Sequence, residues 1–323
     1  MEDNQRRNIS TITYVTLQGF GDLEEVWGIL FSLFLSFYVA TLCGNFLLIL
    51  AVQTSTHLHT PMYFFLCHLS CVDVGYTSSI TPQLLKEILS GGVTISFSAC
   101  VMQLYVVGAL LTVECFLLAI MSYDRYLAIC WPLRYPLLMD SSTCIKLAVG
   151  SWISGFLFVG AVLIFLATLT FCGPHIIDDF FCDLFPLVKL SCTDTTMVEK
   201  VAFASSFLSL SPFLWTLLSY GCILSSILRI STSTGRYRAF STCSSHLIVV
   251  SVFYGTMIVV YMTPPSRTTL NLNKISSLLY TVLTPLLNPL VYSLRNKDVQ
   301  IALKKGVKLL FVKATRIVTK CAV

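Results

Sequence analysis

Four ionisable residues lie in or beside long apolar stretches of the chain: Asp73, Glu114, Asp124 and Arg125. Charged side chains are costly inside a membrane, and where they occur they commonly bind ions, move protons or act as switches. Asp124 and Arg125 are adjacent, so an ion pair could hold the arginine in one state and release it in another. If Asp73 and Glu114 are neighbours, they are expected to share a proton or to bind a cation between them.

Simpler interpretations exist for the same residues. Asp73 and Glu114 could join Asn45 and Asn288 in a hydrated polar cluster that only packs helices. Arg125 could be an interfacial anchor whose charged head reaches water. Prolines favour a bundle that changes shape, because a proline inside a helix removes a hydrogen bond and bends the rod. The prolines within predicted helices are Pro82, Pro212, Pro285 and Pro289.

The sequence shows no arrangement typical of an enzyme. Ser244, Ser245 and His246 are neighbours on one predicted helix, where residues one or two apart do not face each other. There is no phosphate-binding glycine loop, and the cysteine-rich loop around His175 lacks the CxxC spacing of a zinc site. We therefore expect no catalytic residues, no metal and no cofactor.

The elements that carry these residues are predicted to be membrane-spanning helices. Hydrophobic residues make up 55% of the chain and charged residues only 11%, with a mean hydropathy of +0.80. About 20 apolar residues suffice to cross a bilayer as a helix. The sequence predicts an all-α integral membrane protein with a seven-transmembrane helix bundle at 27–294, an extracellular segment at 1–26 and a cytoplasmic tail at 295–323. The predicted spans are 27–52, 61–85, 97–123, 143–168, 198–228, 239–262 and 272–294.

The charge distribution predicts that the N-terminus is extracellular. With that orientation, 14 of the 21 basic residues fall in inner segments and 11 of the 16 acidic residues in outer ones, which is the bias of membrane proteins. Asn8 lies in a glycosylation sequon, which is used only on the outer side. The basic excess therefore indicates contact with anionic lipid or with an acidic partner surface, not with nucleic acid. Residues 297–311 place Val299, Leu303 and Leu310 on one stripe, as in a short amphipathic helix on the inner face.

Cys100, Cys172, Cys182 and Cys192 fall in predicted outer segments, where disulfides form. Four cysteines allow three pairings, and their spacing does not choose among them. The other cysteines lie in or beside spans, where small buried apolar side chains are the expected interpretation, or in the tail.

Several strings of residues resemble known receptors. Asn45, Asp73, YDRY at 123–126, Trp152, Pro212 and NPLVY at 288–292 are similar to the rhodopsin-like (class A) G-protein-coupled receptors. LHTPMYFFL (58–66), MSYDRYLAIC (121–130), RAFSTCSSHL (238–247) and PLLNPLVYSLRN (285–296) resemble the olfactory receptors. FYGT (253–256) resembles the tetrapod-type subgroup, which mostly detects volatile odorants. The similarity extends from about residue 8 to 296. The loop departs from the pattern at His175 and Asp179, where the family often has asparagine and histidine.

The resemblance implies roles for individual residues. It implies the disulfides Cys100–Cys182 and Cys172–Cys192, and a polar core at Asn45, Asp73 and Glu114. It also implies an inner switch that rearranges to admit a G protein, formed by Asp124, Arg125, Tyr126, Tyr220, Arg238, His246, Asn288, Pro289 and Tyr292.

A ligand wall is expected along the third span. Leu104, Val107, Gly108, Leu111 and Thr112 form a helical stripe, and the only charge between Cys100 and Asp124 is Glu114, which lies below this stripe. A wall without a carboxylate predicts a small neutral, mostly apolar ligand. Further wall residues implied by the resemblance are Ala204, Ser205, Leu208, Tyr254, Met257, Ile258, Tyr261, Leu278 and Thr281.

Together these features imply an odorant receptor of the plasma membrane that activates a stimulatory-type heterotrimeric G protein and raises cyclic AMP. A class A receptor for a non-odorant metabolite, expressed outside the olfactory epithelium, is the alternative. A transporter or channel is a remote one, because the two halves of the chain show no internal repeat.

Overall fold

The computed structural model describes residues 12–20, 26–172, 175–229, 232–262, 274–295 and 299–303. This part of the chain contains seven long helices, each at the place of a predicted span. They are α1 (Trp27–Thr54), α2 (Pro61–Ser90), α3 (Phe97–Cys130), α4 (Ser141–Leu166), α5 (Thr196–Leu228), α6 (Ser233–Met262) and α7 (274–295). Short helices at Thr56–Leu58, Tyr135–Leu138 and Leu184–Val188 lie in the connections.

The helix ends follow local sequence chemistry. Pro61 occupies the first turn of α2, where its missing N–H costs no hydrogen bond. Ser96 and Asp140 cap α3 and α4, because their side chains accept hydrogen bonds from Ala99 N and Thr143 N at 3.2 and 3.0 Å. Gly91 ends α2 with φ +68°, a left-handed conformation that favours glycine.

Five of the described helices are long and apolar enough to cross a membrane by length and composition: α1, α3, α4, α5 and α7. Helix α2 is more polar because it carries Asp73, Lys86 and Glu87, and α6 holds a shorter apolar run at Cys243–Val259. Large apolar side chains such as Leu157, Ile164 and Leu218 are about two-thirds exposed. This outward-facing apolar surface matches lipid better than water.

Helix α3 lies at the centre of the bundle and packs against α2, α4 and α5, while α7 packs against α1 and α6 to close the ring. The approach of α4 to α3 depends on Gly155. A Cβ at this position would lie 2.6 Å from Val113 Cγ2 and 2.7 Å from the Ala109 carbonyl oxygen. The two backbones therefore approach as closely as small residues allow.

A three-stranded sheet covers one end of the bundle, which we call the sheet end. Strand β1 (Tyr14–Leu17) lies between β2 (Val93–Ser96), with which it is antiparallel, and β3 (Ile176–Ile177), with which it is parallel. The sequence patterns predict helices only, so these strands are an addition to the expected fold. Strands of two to four residues carry too little alternation to be recognised before their partners are known.

Helix α7 contains a π-helical turn at Leu279–Leu283. Six residues later, Pro289 cannot donate to the Pro285 carbonyl, because proline lacks an N–H. The Asn45 side chain fills this gap, since its Nδ2 donates to the Pro285 oxygen at 3.1 Å. The irregular helix is thus tied to α1 at a defined point.

The predicted tail helix is described only in part. Residues 299–303 are helical, and Val299 and Ala302 are buried against the main core. Asn8, Leu310 and the remainder of the tail lie outside the described residues, as do the side chains of Leu208, Arg238 and Tyr261.

Candidate functional site

A cavity of about 240 Å³ lies between α3, α4, α5 and α6. Toward the sheet end it is covered by Asp183, Leu184 and Phe185, at the start of the helix Leu184–Val188. Its lining is mostly apolar, which suits burial of a small organic molecule.

The predicted stripe on α3 lines this cavity at four of its five positions: Leu104, Gly108, Leu111 and Thr112. Their spacing places them on one face of the helix. Val107 points elsewhere and is buried in the main hydrophobic core. Gly108 lets α4 approach this wall, because a Cβ there would lie 3.3 Å from Val159 Cγ1.

Helices α5 and α6 supply four more of the predicted residues. Ser205, Tyr254, Met257 and Ile258 line the cavity. The prediction for Ala204 is not supported by its placement, because this residue is exposed and does not line the cavity.

The α7 residues predicted for the wall lie away from the cavity. Helix α7 packs against α1, α2 and α6, so its side chains do not reach the space between α3, α4 and α5. Leu278 is half-buried against the main core, and Thr281 is fully buried. Neither residue lines this cavity, and their assignment to a ligand wall stays a prediction.

Helix α4 forms a wall that sequence reasoning missed. Phe158, Val159, Val162 and Leu163 all line the cavity. In the sequence these residues belong to an apolar run whose members could equally face lipid or core. Cys115, Ala202, Leu210 and Phe213 were missed for the same reason.

The hydroxyl groups that line the cavity already donate hydrogen bonds to backbone carbonyl oxygens. Thr112 donates to Gly108 O at 2.9 Å and Ser205 to Val201 O at 2.8 Å, each within its own helix. The Tyr254 hydroxyl donates to Cys115 O at 3.4 Å. A hydroxyl has one proton and two lone pairs, so these groups can still accept hydrogen bonds from a ligand.

Two disulfides hold the loop over the cavity. Cys100 is bonded to Cys182 and Cys172 to Cys192, with Cα separations of 5.4 and 5.8 Å. Of the three possible pairings, this is the one that the resemblance implied. Gln103 adds a second link between the loop and the helices near the Cys100–Cys182 disulfide. Its Oε1 accepts a hydrogen bond from Cys182 N at 2.9 Å, and its Nε2 donates to Ser79 O at 2.8 Å.

The loop brings a carboxylate to the cavity. Asp183 caps the helix Leu184–Val188 by accepting a hydrogen bond from Leu184 N at 2.8 Å, and it also lines the cavity. The sequence of the third span predicts a wall without a carboxylate. That expectation is corrected, because residues of a folded loop reach a wall that helix periodicity does not predict.

At the opposite end of the bundle, Arg125 is held by its neighbour. Its Nε and Nη2 donate to Asp124 Oδ2 at 3.0 and 2.5 Å. The other carboxylate oxygen accepts from the Tyr135 hydroxyl at 2.8 Å. Asp124 is fully buried and the Arg125 side chain is 16% exposed, so the pair is shielded from bulk water. Tyr126 accepts a hydrogen bond from Trp131 Nε1 at 2.9 Å.

Two of the predicted switch residues join α5 to α6. The Tyr220 hydroxyl and His246 Nδ1 are 2.5 Å apart, and their rings stack with centroids 5.7 Å apart. Tyr292 of α7 is buried, and its hydroxyl has no hydrogen-bond partner among the described residues. The switch residues of α3, α5, α6 and α7 thus lie in the half of the bundle away from the sheet.

One member of the predicted polar core, Asp73, is in contact with a residue of α7. Asn288 Nδ2 donates to both carboxylate oxygens of Asp73, at 3.1 and 3.0 Å. Glu114 is buried, and its Oε1 has no partner in the described part of the chain. Both interpretations, a shared proton and a bound cation, fit this cluster.

Comparison with known proteins assigns the family. A sequence model described as "Olfactory receptor" matches residues 34–310. The chain belongs to the olfactory receptor family. Among curated relatives, human olfactory receptor 11L1 is 49% identical over 93% of each chain. Human olfactory receptor 11A1 is 46% identical over 91% of this chain and 94% of its own. Mouse olfactory receptor 6B9 is 44% identical over 93% of this chain and 95% of its own.

Membership in the olfactory receptor family settles the class of protein. The chain is a receptor and not an enzyme, and its apolar helices make it a multi-pass protein of the plasma membrane. Binding of odorants and coupling to a G protein are general for this family. The seven-helix architecture expected from the sequence is confirmed.

Proposed function

We propose that this olfactory receptor binds a small, mostly apolar and volatile ligand in the cavity between α3 and α6. We propose further that binding activates a stimulatory-type G protein and raises cyclic AMP. The observation that carries the proposal is the cavity itself, an apolar space closed toward the sheet end by a disulfide-anchored loop. Volatile molecules are small and weakly polar, and such a space matches them in size and chemistry.

Burial supplies most of the binding free energy in such a cavity. At about 25 cal/mol per Å² of apolar surface, a ligand that buries ~200 Å² gains only ~5 kcal/mol. This gain corresponds to weak binding, of roughly millimolar to high-micromolar affinity. We therefore expect several ligands of similar shape to be agonists.

The signalling half of the proposal rests on the end of the bundle that carries Arg125. The Asp124–Arg125 pair, the Tyr220–His246 contact and the buried Tyr292 lie on four different helices. A ligand that draws α5 and α6 toward α3 would disturb these contacts together. Release of Arg125 would then open a site for the G protein.

We propose that the sheet end is extracellular. Its disulfides and the basic bias of the other end support this orientation. An epitope tag placed before Met1 is expected to stain in intact cells, while a tag after Val323 stains only after permeabilisation. Staining of both tags in intact cells would contradict the orientation.

The ligand site is tested by the substitution Thr112→Leu. The larger side chain enters the cavity and removes one hydrogen-bond acceptor, so we expect agonist potencies to change by about tenfold or more, in a ligand-dependent manner. The measurement is cyclic AMP in cells that display the receptor, over a panel of odorants.

Thr54→Leu is the matched control. Thr54 makes the same kind of bond, donating to Leu50 O at 2.8 Å within its own helix, but it lies at the end of α1 away from the cavity. We expect unchanged potencies for this variant. Identical dose–response curves for Thr112→Leu and the unmodified receptor, with every agonist, would refute the cavity as the ligand site.

A further inference from the structure

Two acidic residues of the disulfide-bonded loop interact electrostatically, and one of them lines the cavity. Asp183 lines the cavity, and Asp179 lies close enough for the charge of Asp183 to act on it. Each carboxylate accepts a hydrogen bond from the backbone N–H of the next residue, at 2.8 Å. Among the described residues neither forms a salt bridge. Two neighbouring acids without a basic partner favour a cation between or beside them.

The nearest lysine is engaged elsewhere. Lys274 Nζ lies 2.5 Å from Asp178 Oδ1 and 2.6 Å from the Gly19 carbonyl oxygen. Its charge acts on Asp179 but is outweighed there by the charge of Asp183. Burial raises the pKa of Asp183, and burial together with Asp183 raises the pKa of Asp179 to about 7. The ionised carboxylates therefore lack compensation in the protein alone.

The remaining polar groups of the cavity point to the same kind of ligand. Thr112, Ser205 and Tyr254 have each donated their hydroxyl proton to a backbone carbonyl. Together with Asp183 they offer lone pairs and no free hydroxyl proton. A primary ammonium group is the complement of such a site, because it has three donors and no acceptor.

We propose that the Asp183 carboxylate, reinforced by Asp179, binds the ammonium group of a small aliphatic amine whose hydrocarbon part occupies the apolar cavity. The inference rests on the proposed function, and it narrows the ligand class from a small apolar molecule to a protonated amine. A charge-assisted hydrogen bond in a shielded site is stronger than a neutral one. Amines should therefore be more potent than neutral molecules of the same size.

The test uses matched ligands and a variant that keeps the local fold. Unbranched primary amines from butyl to decyl are compared with the alcohols and methyl ethers of equal heavy-atom count. In the unmodified receptor, we expect the best amine to exceed the matched alcohol and ether in potency by about tenfold or more. Asp183→Asn keeps a good helix cap and removes the charge. This variant is expected to weaken the amines about ten- to hundredfold and to leave the ethers within about twofold.

A second variant probes the reinforcement by Asp179. Asp179→His replaces the second acid with an imidazole that can pair with Asp183. We expect weaker amine responses and unchanged ether responses. Asp194→Asn is the matched control, since Asp194 is exposed, caps a nearby turn through Thr196 N at 3.0 Å and does not line the cavity. Surface display is measured for every variant.

The outcomes separate the two proposals. If the two acids only share a proton, amines will have no advantage and Asp183→Asn will shift all ligand classes equally or not at all, which overturns the inference. If this happens while Thr112→Leu still alters potencies, the cavity remains the ligand site. If neither variant alters any response, the proposed ligand site fails as well.

Discussion

Replacing Arg125 with alanine is expected to abolish ligand-driven cyclic AMP production while the receptor still reaches the cell surface. Arg125 is held at its end of the bundle by Asp124, and Tyr135 braces the same carboxylate. We expect the released guanidinium to contact the G protein. Its removal therefore leaves ligand binding intact but prevents activation of the G protein. The measurement is the maximal cyclic AMP response, normalised to surface receptor, and we expect it to fall to background.

Two further variants sharpen this expectation. Arg134→Ala removes an exposed arginine of the connection that follows α3. Its guanidinium lies 5.5 Å from the centre of the Trp131 ring and takes no part in the Asp124–Arg125 pair. We expect near-normal signalling from it. Asp124→Asn weakens the hold on Arg125 and should raise the ligand-independent signal. A full response from Arg125→Ala at normal surface density would disprove the switch assignment.

Gly155→Ala is expected to have the largest effect on folding. The added methyl group would approach Val113 Cγ2 and the Ala109 carbonyl to within 2.7 Å, so α4 must move away from α3. Overpacking of this kind typically costs about 1–3 kcal/mol. Because the cavity lies between these helices, we expect a several-fold loss of surface receptor and weaker ligand responses from the receptor that remains.

Gly150→Ala provides the control on the same helix. A Cβ at Gly150 would meet no atom within 4 Å, and alanine favours the helix over glycine. We expect surface amounts equal to or above those of the unmodified receptor, measured by flow cytometry, together with an unchanged or higher melting temperature of the purified protein. Equal surface amounts for the two variants would show that the close approach of α3 and α4 is not required.

Much of the switch end was predictable from residue types. Asp124, Arg125 and Asp73 are conspicuous because charge is rare in an apolar span, and the structure places them in contacts that such burial requires. Asn288 donates to Asp73, whereas Asn45 donates to the Pro285 carbonyl. Their partners across the bundle, such as the Pro285 carbonyl, follow only from the positions of the helices.

The ligand wall was predicted less completely. Four of the five stripe residues on α3 line the cavity, because helix periodicity alone defines a face. Which face of α4 meets the cavity, and whether α7 reaches it, depends on how seven helices are arranged around α3. Leu278 and Thr281 were assigned to the wall by resemblance, and the packing of α7 places them elsewhere.

The sequence by itself determined the lipid environment, the number of helices and the family. The length of each apolar segment and the short motifs can be identified from the order of residues along the chain. The tertiary structure decided the sheet over the bundle, the α4 wall and the arrival of Asp183 at the cavity. These features join residues far apart in the chain, and their closeness arises from packing and from the disulfide between Cys100 and Cys182. Local sequence does not show which distant residues will lie close together in the folded protein.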